Sequence, residues 1–210
     1  MNAARRVVYS LRAAMTALRT DRLVLRPWRE ADLEPFAAMG RDPAVMEFFP
    51  ALLTRERSDA VVARISDHLA REGFGLWALE VIGGAPFIGF CGLARPAFTA
   101  AFTPCVEVGW RLACAHWGHG YATEAARASL RFGFETLGLS ETVAFVLPGN
   151  LRSAAVAERI GMARDRQGDF DHPQIAPDTI SVGGWPQQRH WLYRITRELW
   201  WQNAPPTSKS

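Results

Sequence analysis

Residues 117–125 read Trp117-Gly118-His119-Gly120-Tyr121-Ala122-Thr123-Glu124-Ala125. The two glycines let the backbone bend sharply and come close to a ligand. After the bend, Ala122, Ala126, Leu130, Phe134 and Leu137 recur every three or four residues, which predicts a helix, and Gly138 suits its C-terminal cap. The first turn of a helix leaves N–H groups without acceptors, and its dipole adds partial positive charge. Together they make an anion site suited to a pyrophosphate. The stretch is not a dinucleotide fingerprint, because Thr123 stands where GxGxxG needs its third glycine, and no GxxxxGK[ST] phosphate loop is present. By itself, a bend with two glycines is also what a plain loop contains.

The flanks narrow the reading. Before the bend, Cys105 to Leu112 reads as a strand, with Val106, Val108 and Trp110 on one face and Glu107 and Gly109 on the other. After the helix, Thr142 to Leu147 is apolar and β-rich, as a buried strand would be. Pro148-Gly149-Asn150 turns the chain, and Asn150 caps a helix over Leu151 to Ile160 that stops at Gly161. Further out, Arg22 to Arg26 is a short strand ended by Pro27, and Ala31 to Met39 is a helix with Asp32 near its start. Thr54 caps a helix reaching Glu72, whose inner face is Ala60, Val61, Ile65 and Leu69. Phe74 to Ile82 and Phe87 to Leu93 form a hairpin across Gly83-Gly84, and His190 to Arg197 is a last strand. Residues 95–104 are an irregular loop, and 162–188 carry no clear pattern. The expected architecture is a single α+β domain over 20–200: a central mixed, mostly antiparallel twisted sheet flanked by helices. Residues 1–19 are expected to be a flexible extension and 201–210 a tail.

Composition sets outer limits. The chain has 210 residues, 49% hydrophobic and 21% charged, which is ordinary globular usage. The formal charge of +3 is too small for a dedicated nucleic-acid binder, so no direct nucleic-acid partner is expected. No apolar run approaches the roughly 18 residues of a membrane span. Cys91, Cys105 and Cys114 are odd in number and irregular in spacing, which fits reduced thiols and a cytoplasmic location. His116, His119 and Cys114 have unconvincing spacing for a metal, and no metal is expected.

The order of elements is strand, Gly-x-Gly-x-Ala bend, helix, strand, Asn150-Leu151-Arg152-Ser153, helix, Gly161-Met162. This order resembles the GNAT acetyltransferase superfamily. The opening Arg22-Leu23-Val24-Leu25-Arg26-Pro27-Trp28, with Asp32 and Asp42-Pro43, is similar to the branch containing the ribosomal-protein N-terminal acetyltransferases. The resemblance implies an N-acetyltransferase with acetyl-CoA as co-substrate and a primary amine, a protein N-terminus or a small amine, as acceptor. It implies that the backbone of Trp117, Gly118, His119, Gly120, Tyr121 and Ala122 holds the pyrophosphate. Asn150 and Ser153 would lie beside the pantetheine and its sulfur, and the strands at 105–112 and 142–147 would splay to admit that arm. Two positions depart from the family pattern. Trp117 replaces the usual Arg or Gln, and Ala157 stands where many members carry an acidic Tyr, seven residues after the Asn.

Attack of an amine on a thioester needs a base and an oxyanion donor, the latter expected from a main-chain N–H of the 105–112 strand. The candidate bases are Glu107 and His172, the second expected to be raised in pKa by Asp169 and Asp171. With no Tyr at 157, thiolate protonation falls to Ser153, another group or water. Phe48 and Phe49 are candidates for an acceptor-pocket wall. Trp185, Trp191, Trp200 and Trp201 could form a lid or a homodimer contact. A competing expectation is a non-catalytic acyl-CoA-binding regulatory module, motivated by the departures at 117 and 157.

Overall fold

The structure is a computed structural model that describes residues 17–175 and 179–203. Eight strands form one sheet: β1 (Leu18–Arg19), β2 (Leu23–Arg26), β3 (Leu76–Val81), β4 (Gly89–Ala94), β5 (Glu107–Leu112), β6 (Glu141–Val146), β7 (Ala163–Asp171) and β8 (Arg189–Thr196). Their spatial order is β1-β2-β3-β4-β5-β6-β8-β7. Every neighbouring pair is antiparallel except β5 and β6. Helices are α1 (Leu33–Arg41), α2 (Arg55–Glu72), α3 (Tyr121–Arg131), α4 (Leu151–Arg159) and α5 (Arg197–Asn203). A π-helical turn over Phe132–Thr136 prolongs α3. The expected mixed sheet with flanking helices is therefore what the chain forms.

Side-chain parity divides the sheet between two helical layers. Trp77, Leu79, Cys91, Leu93 and Val108 point to the layer of α3 and α4, where Ala125, Ala126, Leu130, Ala154 and Ala157 are buried. The alternate residues Ala78 and Phe90 point the other way, onto Phe36 and Met39 of α1 and Val62 of α2. Caps fall where the sequence places them. Thr54 accepts from the Arg57 N–H to start α2, and Gly73, at φ +74, ends it. Asn150 accepts from the Ser153 N–H to start α4.

Three expectations change. Residues 1–16 lie outside the described residues, but Leu18 and Arg19 pair with Leu25 and Val24, so the extension joins the sheet before residue 20. The segment after Met162 becomes β7, an edge strand with a register shift between Asp165 and Phe170. Its sequence ARDRQGDFD hides it, since polar pairs rather than apolar alternation hold it: Arg164 with Asp169, and Arg194 with both Asp165 and Glu141. At the C-terminus, α5 runs past residue 200, and Trp200 is buried, its ring 5.9 Å from Phe134.

Asp32 matters more than its place near a helix start suggests. It takes a bidentate contact from Arg26 at 2.7 and 2.8 Å, and Arg26 Nε also donates to Glu80 at 2.7 Å. Arg26 and Asp32 are both buried. Asp32→Ala removes the bidentate partner and leaves Arg26 with Glu80 alone as a carboxylate, so it is expected to cost about 1.5–3 kcal/mol. Urea unfolding checks this; a loss below about 1 kcal/mol would contradict the account.

Candidate active site

The site forms where the sheet comes apart. β5 and β6 are in parallel register only at Glu107↔Val143, with the Val143 N–H donating to the Val106 carbonyl at 3.0 Å. Beyond that point the strands diverge. Val108 to Leu112 form one wall of a cleft of about 1140 Å³ and Ala144 to Leu147 the other. Gly118, Gly120, Tyr121 and Ala122 line it, as do Asn150 and Ser153 of the next turn.

The bend is built as an anion cradle would be. Gly118 and Gly120 sit at φ +77 and +80, where a side chain strains the backbone. Gly120 is the N-cap of α3, and the first helical bond runs from the Glu124 N–H to its carbonyl. The preceding N–H groups of that turn have no intrahelical acceptor. Arg22, from the start of β2, braces the bend: it donates to the His119 carbonyl at 2.9 Å, pairs with Glu124, and lies 4.9 Å from the Tyr121 ring centre. Trp117 turns back, its indole N–H donating to the Leu112 carbonyl at 2.8 Å. The Arg152 guanidinium lies 4.6 Å from the Trp117 ring and is paired with Glu47. A cation from α4 thus stands beside Trp117, the position where the resemblance implies an Arg or Gln. His119 is exposed and stacks on Tyr121.

The other end of the cleft is acidic and aromatic. Glu107 lines it, and burial alone pushes its carboxyl up to about 7. Gly109 lies next to that carboxyl, a Cβ there falling 3.8 Å from Glu107 Oε1, an ordinary contact distance. His172 also lines the cleft, but it is not an aspartate-raised imidazole. Asp169 is occupied by Arg164 and the Leu192 N–H, and Asp171 by Arg189. The His172 ring packs 4.4 Å from Phe98 and 5.4 Å from His190, and burial lowers its pKa. His190 is pushed down to about 4 by burial.

Ser153 lines the cleft wall, while the Asn150 carboxamide oxygen is occupied by the α4 cap. Ala157 is fully buried in the core, so no acidic side chain replaces the Tyr of the family pattern at that position. Phe48 and Phe49 do line the cleft. Trp185 packs 5.7 Å from Phe48, while Val182 and Gly183 donate to the carbonyls of Phe49 and Glu47, so this segment packs against the stretch that carries those two rings. Among the described residues, no group of three or more His, Cys, Asp or Glu is placed to hold a metal, and no helix is long and apolar enough to cross a membrane.

Sequence reading missed three contributors. Arg111 shares the parity of Glu107 and Gly109, a signal that was available. Phe98 and Phe145 reach the site from a loop and a strand with no functional pattern, and carried no such signal.

The family described as Acetyltransferase (GNAT) domain matches residues 22–163, and the chain belongs to it. The uncharacterized protein YkkB of Bacillus subtilis is 35% identical over 150 residues, covering 71% of this chain and 86% of its own. The FsC-acetyl coenzyme A-N(2)-transacetylase of Aspergillus fumigatus is 30% identical over 201 residues, 92% of this chain and 82% of its own. The ribosomal-protein-S5-alanine acetyltransferase of Vibrio fischeri superposes with a TM-score of 0.66 over 88% of this chain and 98% of its own. At 16% identity, that likeness speaks for the fold.

Proposed function

We propose that the chain transfers an acetyl group from acetyl-CoA to a primary amine by direct attack. The observation that carries this is the opening between β5 and β6, with a glycine-relieved helix N-terminus at one end and the burial-raised Glu107 at the other. The pyrophosphate would rest on the main-chain N–H groups of residues 117–122, with Arg22 and Arg152 adding positive charge nearby. The acetyl-pantetheine arm would take the place of a strand beside β5, with Asn150 and Ser153 alongside.

An ammonium cannot attack, so Glu107, ionised above about pH 7, takes a proton from the acceptor. The amine nitrogen then bonds to the thioester carbon. The carbonyl electrons move to oxygen, where a β5 main-chain N–H meets the charge. Collapse breaks the C–S bond, and the second proton of the attacking nitrogen passes through Ser153 or water to the departing thiolate. The family name and the printed N(2)-transacetylase activity of the Aspergillus relative support an amine acceptor.

The buried Ala157 and the Trp117 position favour a second reading, a module that binds acyl-CoA without turnover. One assay separates the two. Free thiol is followed while the protein is incubated with acetyl-CoA and a panel of amines. Amine-dependent release supports transfer; binding without release supports the module.

His172 serves as part of the aromatic wall in this scheme. His172→Ala is expected to raise the acceptor KM several-fold while the pH–rate midpoint stays near 7. A flattened profile in that variant would move the base role to His172.

A further inference from the structure

Arg111 is a half-buried cation on the cleft lining with no carboxylate partner among the described residues. It lies on β5 opposite Phe90 and points to the α1–α2 side of the sheet, away from the layer of α3. Its guanidinium carbon sits 3.8 Å over the Phe49 ring and 5.4 Å from Phe90. The nearest polar approach is Nη1 to the Met46 sulfur at 3.7 Å, and Nε is buried without a partner. No carboxylate among the described residues offsets it, and burial pulls its pKa down to about 10, which leaves it charged at neutral pH. Withdrawing part of an unpaired charge from water is costly, so a fold that keeps one has a use for it.

We propose that Arg111 clamps a carboxylate on the acceptor, so that the preferred substrate is an amine carrying an acid group several bonds from the reacting nitrogen. This rests on the acetyl-transfer reading and names its substrate class. The cleft runs along one face of β5, from Glu107 past Gly109 to Arg111. Four residues of strand put those two Cα atoms about 13 Å apart. An α-amino acid, whose carboxylate adjoins the amine, spans that distance poorly. A chain of methylenes spans it better and finds Phe48, Phe49 and Phe90 beside it. The clamp belongs to the acceptor side, because the phosphate bend leads into α3 on the opposite face of the sheet. A guanidinium fork on a carboxylate is the strong, geometrically selective form of the contact.

The test uses the full chain and the pairs γ-aminobutyrate and δ-aminovalerate with their carboxamides, with glycine as a short control. Wild-type protein is expected to turn over the acids about ten- to hundred-fold better in kcat/KM than the amides, the difference lying in KM. Arg111→Gln is expected to erase that preference, and Arg111→Lys to restore part of it. Calorimetry with the CoA-loaded protein reads the same preference without turnover. Equal turnover of acid and amide by the wild type would overturn the clamp while leaving acetyl transfer intact. A fall in acetyl-CoA affinity in Arg111→Gln, with acceptor KM unmoved, would also overturn it by assigning the cation to the cofactor. Acid-selective binding with no thiol release from any amine would support the clamp and count against acetyl transfer.

Discussion

Glu107→Gln is expected to lower kcat by about 10²- to 10⁴-fold, the usual worth of a positioned general base. Acetyl-CoA affinity should change little, because the carboxyl sits at the far end of the cleft from the phosphate bend. The pH profile carries a second signature. Wild-type turnover should rise through a midpoint near 7 as Glu107 ionises, in addition to the acceptor's own titration, and the variant should lose that limb. Stability should move the opposite way. A folded-state pKa raised from 4.5 to about 7 means that folding disfavours the ionised form. The wild type therefore holds its full stability below about pH 4.5 and loses part of it as pH rises through about 7. Gln removes that loss, so the variant should melt higher than the wild type above pH 7 and match it in acid. An active site that keeps a costly carboxyl for its chemistry behaves this way. A variant with wild-type kcat, or with an unchanged pH limb, would remove Glu107 from the base role.

The second large effect concerns the bend. Gly118 has φ +77 and nothing within 4 Å of a built Cβ. Asn and Asp tolerate that backbone better than other side chains and have nearly the same shape. The pair Gly118→Asn and Gly118→Asp therefore isolates charge from strain. If main-chain N–H groups here hold a pyrophosphate, the Asp variant should bind acetyl-CoA roughly ten- to hundred-fold more weakly than the Asn variant, as a few ångströms of poorly screened repulsion dictate. Raising the salt should narrow the gap. Gly120 is less clean for this purpose, because a Cβ there lies 3.4 Å from Arg22 Nη2 and an introduced Asp would pair with it. Equal affinities in the Gly118 pair would place the phosphate elsewhere.

Much of this architecture is readable from local chemistry. Thr54 and Asn150 cap helices because their side chains reach an N–H three residues on, and that spacing is visible in the sequence. The bend, α3, β6 and α4 follow one another with strong periodicity, which is why the family resemblance is concentrated there. The sequence is mute where long-range pairing decides. β7 looks like a charged loop because the Arg194 that pairs with its Asp165 is far off in the chain. His172 looks like an aspartate-assisted imidazole because its neighbours in sequence are acidic. In the fold those aspartates turn to arginines, and the ring meets Phe98 and Phe170 instead. Glu107 was legible as a candidate from its place on the strand that the family resemblance singles out, whereas its raised pKa depends on desolvation that only tertiary packing reveals. Arg111 shows the same limit, since nothing near it in the chain betrays that it lacks a carboxylate.

A structure of the complex with acetyl-CoA tests the central claim most directly. The account predicts the diphosphate against the N–H groups of residues 118–122, the pantetheine arm lying along β5 in the gap toward β6, and the thioester carbonyl within reach of a β5 N–H on the side facing Glu107. Density for the cofactor outside that gap, or a diphosphate bound away from the bend, would contradict it.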